Sequence, residues 1–180
     1  MIPLIPLLVI GAIALAGAAF FKNAAGAGET SAAEDVDGGA MTDWTRFDGL
    51  FKKYGEINSV PWEWLKAIAI KESDLGRDPL VVAGKVSRDR KSWGLMQLTL
   101  PTAGDYKPDV TVADLNDHET SIDLAAQHLG FLFRRYGGDP RKVIMSYNQG
   151  HGNTDAGKTY AFGYFQEWQK NLKRVEENIV

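Results

Sequence analysis

The sequence predicts a mainly α-helical domain, residues 41–180, carried behind an apolar helix and a flexible stem. Apolar side chains recur at helical spacing through most of that stretch, and helix start and stop residues fall between the stripes. No run alternates apolar and polar residues over a useful strand length, and no internal repeat is present.

Residues 1–22 are apolar or small up to Lys22, the first charged side chain. A bilayer-spanning helix needs roughly 20 apolar residues, so this segment is long enough to serve as a membrane anchor. Pro3 and Pro6 sit in its first turns, where proline is tolerated. The rival reading is a cleaved signal peptide with a small-residue site around Ala24-Ala25-Gly26-Ala27, but such peptides begin with a basic n-region that is missing here. A retained anchor is therefore expected. Taken alone, Lys22 would leave the following domain on the cytoplasmic side, a weak signal from a single charge. Residues 23–40 are small and acidic (Glu29, Glu34, Asp35, Asp37, no basic residue), the composition of a flexible linker.

Within the domain, Asp43 is expected to cap a first helix bearing Trp44, Phe47, Phe51 and Tyr54. Pro61 opens a second helix that runs to about Glu72. Between Gly76 and Trp93 the chain turns polar and irregular, with a short hairpin expected around Leu80–Val86. A helix from about His118 carries Ile122, Ala125, Ala126, Leu129, Phe133 and Tyr136 on one stripe and stops at Gly137-Gly138. Asp139 and Pro140 supply N-cap and first position of the next, through Val143, Ile144 and Tyr147 to a stop near Gly150. The last helix carries Phe165, Trp168, Leu172, Val175 and Ile179.

Composition closes several routes. With no cysteine there is no disulfide, thiolate metal site or cysteine nucleophile. His118, His128 and His151 lie far apart and none has a partner four residues on, so neither a metal nor another cofactor is expected. From Met41 onward 19 basic residues balance 19 acidic ones, and a neutral domain without a basic block does not point to nucleic acid.

One carboxylate stands out. Leu65, Ile68, Ala69 and Glu72 share a helix face, and the first three are core residues by type. Glu72 then points at the core or at the edge of a cleft, where lost hydration and a nearby helix C-terminus both favour its protonated form. That is the form a general acid needs. The plain alternative is a solvated glutamate reaching Lys71 or Lys66.

Three short pieces follow one another in the chain: Glu72-Ser73, Gly94-Leu95-Met96-Gln97 and Ser146-Tyr147-Asn148-Gln149-Gly150. Each alone has a structural reading as a turn, core pair or helix end. In this order, with Pro101-Thr102-Ala103 after the second, they resemble the catalytic domain of the soluble lytic transglycosylase (SLT) family over about residues 55–165. Ser146 stands where that family usually has alanine, and the Pro-Thr-Ala piece lacks an intervening residue.

The resemblance implies a lysozyme-like fold. It also implies cleavage of the β-1,4 bond between N-acetylmuramic acid and N-acetylglucosamine in peptidoglycan glycan strands, with a 1,6-anhydro product. Glu72 would be the lone acid and base, and Tyr147 would sit over it. By the same transfer Ser73, Met96, Gln97 and Asn148 contribute to substrate binding, with Ser87 or Ser92 as the loop serine near the cleavage point. Tyr160, Phe162 and Tyr164 are candidate sugar-facing aromatics, at least one of them expected in the core. Two rivals stand beside this reading. One is a hydrolytic muramidase like goose-type lysozymes, with Asp74, Asp78 or Asp89 activating water. The other is a non-catalytic, membrane-anchored wall-binding or structural protein. An anchored enzyme facing the peptidoglycan suits a bacterial envelope complex, or a virion with capsid and membrane partners that must breach a wall.

Overall fold

A computed structural model describes residues 44–83, 91–150 and 159–178, all within one compact unit, Gly39–Val180. The expected anchor 1–22 and linker 23–40 lie outside the described residues. No helix among the described residues is long and apolar enough to cross a membrane.

The order is α1 (Asp48–Asn58), α2 (Trp62–Ser73), α3 (Pro79–Val82), β1 (Ser92–Trp93), β2 (Leu98–Thr99), α4 (Leu100–Gly104), α5 (Val112–Asn116), α6 (His118–Arg135), α7 (Pro140–Gln149) and α8 (Thr159–Glu176). The mainly helical expectation holds. At the centre is α2, with α1, α6 and α8 packed on it. Leu65, Ile68 and Ala69 are fully buried as expected, but so are Ala67 and nearly so Lys66 and Ile70. Neighbours on several sides explain why α2 is apolar almost all round, since a helix with one wet face would alternate more. The cost of burying Lys66 is offset by Asp48 on α1, whose carboxylate lies 2.9 Å from its ammonium. Lys66 is thus committed to α1 and is no partner for Glu72.

The first helix starts later than its sequence suggested. Asp43 lies outside the described residues, residues 44–47 form a turn, and α1 begins at Asp48 with Phe47 at the N-cap and no side-chain cap. Phe51 is fully buried, whereas Trp44 and Tyr54 pack only at the core's margin. Where the hairpin around Leu80–Val86 was expected to begin, Pro79–Val82 is instead the short helix α3, and residues 84–90 lie outside the described set. Asp78 caps it, accepting from the backbone N–H of Leu80 and Val81 at 2.9 and 3.3 Å. Asp78-Pro79 is the same N-cap and first-position signal that Asp139-Pro140 gives for α7, where the Asp139 carboxylate accepts from Arg141 and Lys142.

A two-stranded ladder lies further on, with Ser92 opposite Thr99 and Trp93 opposite Leu98, so that the Gly94–Gln97 piece forms its turn. Two further short helices went unforeseen, and both carry legible caps. Thr99 opens α4 by accepting from the Thr102 N–H, and Thr111 and Asp114 form a capping box on α5. The expected ends of α6 and α7 hold: Gly137, Gly138 and Gly150 have φ of +60°, +75° and +81°. On α8, Phe165, Trp168 and Val175 are buried, while Ile179 lies outside the described residues.

Candidate active site

Glu72 occupies the last turn of α2, on the wall of a cleft of about 540 Å³. The cleft is also lined by Ser92 and Gln97 from the ladder, Thr102 and Asp105 from α4, His128 from α6, and Tyr147 and Asn148 from α7. Glu72 is half-buried on that wall. Burial pushes its pKa up to about 7, against the opposing hydrogen bond from Tyr164 and the positive charge of Lys71. The Tyr164 hydroxyl, on α8 and nearly buried, donates to Glu72 Oε1 at 2.5 Å. The Lys71 ammonium stands 5.3 Å from the centre of the Tyr164 ring. A carboxyl that is half protonated near neutral pH can both give and take a proton there.

The turn after α2 is held by Ser73, which does not face the cleft. It is buried, donates to the Leu95 carbonyl at 2.7 Å and accepts from the Gly76 N–H at 2.9 Å. A serine so placed has little left for a substrate, and it joins the glutamate's turn to the Gly94–Gln97 turn. Met96 likewise departs from expectation. Its side chain is fully buried, and its backbone reaches the site through its carbonyl, which accepts from the Tyr147 hydroxyl at 3.0 Å.

Gln97 lines the cleft as expected, in a left-handed conformation with φ of +48°. Both hydrogens of its amide are committed, to the carbonyls of Val81 and Gly94 at 2.9 Å each, which leaves the side-chain oxygen for a ligand. Gly94 has φ of +78°, and a Cβ there would stand 1.7 Å from the Leu115 carbonyl oxygen. Gly94→Ala is therefore expected to destabilise the domain by about 3 kcal/mol or more, read as a thermal midpoint lower by roughly 10 °C.

Tyr147 lies close enough to Glu72 for the carboxylate to help raise its hydroxyl pKa well above the usual tyrosine range, after the larger effect of burial. Its hydroxyl, however, is turned to the Met96 carbonyl. The residue that bonds the glutamate directly is Tyr164, which the sequence offered only as a candidate sugar-facing aromatic. Asn148 lines the cleft with its Oδ1 buried and without a partner. Ser146, in the alanine position of the motif, is fully buried and its hydroxyl also lacks a partner. Ser92 faces the cleft; Ser87 lies outside the described residues, as does the side chain of Tyr160.

Two titratable cleft residues were not foreseen. His128 sits on the buried stripe of α6, with the Tyr106 hydroxyl 3.1 Å from its Nδ1 and the Tyr147 ring centre 5.6 Å from its own. No sequence signal separated it from an ordinary core histidine. Asp105 is an exposed carboxylate at the end of α4. Of the aspartates considered as a second carboxylate, Asp74 pairs with Arg77, Asp78 caps α3 and Asp89 lies outside the described residues. No group of three or more His, Asp or Glu side chains among the described residues is placed to hold a metal.

The chain is 32% identical over 109 residues to the peptidoglycan transglycosylase gp16 of Escherichia phage T7, a match covering 59% of this chain and 8% of that protein. No solved structure matches. The family model described as the transglycosylase SLT domain matches residues 49–171, which include the glutamate, the Gly-Leu-Met-Gln turn, the Tyr-Asn pair and Tyr164, and the chain belongs to that family.

Proposed function

We propose that the domain is a peptidoglycan lytic transglycosylase with Glu72 as both acid and base. The observation that carries this reading is a cleft glutamate held near pKa 7 by burial and tied down at one oxygen by Tyr164. With Oε1 accepting from Tyr164, the acid proton resides on Oε2. It passes to the glycosidic oxygen between N-acetylmuramic acid and N-acetylglucosamine as the C1–O bond breaks. An oxocarbenium-like centre develops at C1. The carboxylate then takes the proton of the same sugar's C6 hydroxyl while that oxygen closes on C1. Glu72 ends protonated, no water is consumed, and the product is a 1,6-anhydro ring. Because the nucleophile is already attached, the protein's main task is positioning. Ser92, the Gln97 side-chain oxygen, Asn148 and Tyr147 form the binding surface in this reading.

Asp105 favours a second reading, hydrolysis, because a carboxylate on the cleft wall can activate water. Mass spectrometry of peptidoglycan digests separates the two. Anhydro-muropeptides are expected; reducing-end products that vanish in Asp105→Asn would replace the transglycosylase with a muramidase. In this proposal residues 1–22, apolar over the length a bilayer needs, serve as the membrane anchor and 23–40 as the tether to the wall. The similarity to a phage peptidoglycan transglycosylase supports a virion-borne setting over a bacterial envelope complex. Detection of the protein in purified virions tests that setting.

A further inference from the structure

The turn that follows Glu72 and Ser73 is one that L-residues avoid. Asp74, Leu75 and Gly76 have φ of +53°, +56° and +72°, and only the third is glycine. Such a run persists only where its surroundings over-determine it. Local restraints are the backbone bonds from the Asp74 N–H to the Ile70 carbonyl and from the Leu75 N–H to the Ala69 carbonyl, the buried Leu75 side chain, Ser73 accepting from the Gly76 N–H, and Arg77 reaching back to the Asp74 carboxylate. A distant restraint comes from residues 44–47, which precede the family-matched stretch 49–171. Arg46 Nη2 donates to the Leu75 carbonyl, and the Arg46 guanidinium also lies 4.5 Å from the centre of the Phe47 ring. The Trp44 indole carries two guanidiniums, Arg77 at 3.5 Å and Arg174 of α8 at 5.4 Å from its centre. One short segment thus links the strained turn below Glu72 to the helix that bears Tyr164.

We propose that residues 44–47 form a strap whose Trp44 and Arg46 are positioning residues for Glu72. The inference rests on the catalytic reading of that glutamate. Without the strap, Asp74 and Leu75 lose a restraint on their left-handed conformation and can relax toward negative φ. Relaxation there would turn the last residues of α2 and loosen the bond between Glu72 and Tyr164. Of the strap only Phe47 belongs to the core, and the test leaves it in place; Trp44 packs at the core's margin.

The test uses the full chain carrying Trp44→Ala or Arg46→Ala, with Trp44→Phe and Arg46→Lys as milder variants that keep a ring or a cation. Initial rates of glycan release from purified peptidoglycan give kcat and KM, and hydrogen exchange reports the Leu75 and Gly76 amides. The alanine variants are expected to lose about tenfold in kcat, the size of effect that slight misplacement of a reacting group produces, with KM within about twofold of wild type. The Leu75 and Gly76 amides should exchange faster, and the milder variants should recover part of both effects. Unchanged kcat and unchanged exchange overturn the strap even if the thermal midpoint falls, and so does a rise in KM alone. Should the alanine variants fail to fold, the milder pair decides on the same readouts. An inactive wild type, or a Glu72→Gln variant as active as wild type, would instead remove the catalytic reading beneath it.

Discussion

Glu72→Gln should abolish glycan cleavage while making the domain more stable in mild alkali. The activity loss is expected to be at least about a thousandfold, because general acid and general base work fall on one group and each contributes roughly 10²–10⁴. The amide can be held by Tyr164 but has no proton to deliver. The stability gain follows from the shifted pKa. Burial raises Glu72 from 4.5 to about 7, so between those values the folded state binds a proton that the unfolded state has released. Wild-type stability therefore falls as pH rises through that window and flattens above it. The neutral amide escapes the loss, which corresponds to about 3 kcal/mol at pH 8. Thermal unfolding at pH 4 and pH 8 checks the sign: the variant's advantage should be present at pH 8 and absent at pH 4. A zymogram checks the activity, and clearing by the variant equal to wild type would end the catalytic assignment.

Tyr164→Phe has the next largest expected effect. Its hydroxyl stabilises the ionised carboxylate and holds its orientation. Removing it should lower kcat/KM about 10- to 100-fold, the range for losing a charge-assisted hydrogen bond at a reacting group. It should also raise the Glu72 pKa further. Activity that needs the protonated acid falls as pH rises through that pKa, so the alkaline limb of the pH profile should move to higher pH. A tyrosine with only a packing role would leave that limb where it is.

These two residues mark where the sequence sufficed and where it did not. Glu72 was legible because helical period, apolar neighbours and motif order all point at one side chain. Tyr164 was not, because it lies 92 residues away on α8 and reads as one aromatic among several. The caps of α3, α4 and α5 were in the sequence as Asp78-Pro79, Thr99 and the Thr111–Asp114 box. Each helix is only four or five residues long, too short for periodicity to confirm it.

The sequence by itself determined the helical class, the long helices and their stops, the family's motif order and the choice of Glu72 as the proposed acid. Those follow from local propensities and from residue types that chemistry makes hard to substitute. Only the tertiary structure decided what each motif residue touches. It turned Ser73 and Met96 away from the cleft, spent the Gln97 amide hydrogens on backbone, gave Glu72 to Tyr164 and not to Tyr147, and brought His128 and Asp105 to the wall. Hydrogen-bond partners and burial arise between segments distant in the chain, and no local pattern encodes which of several equivalent polar groups will meet there.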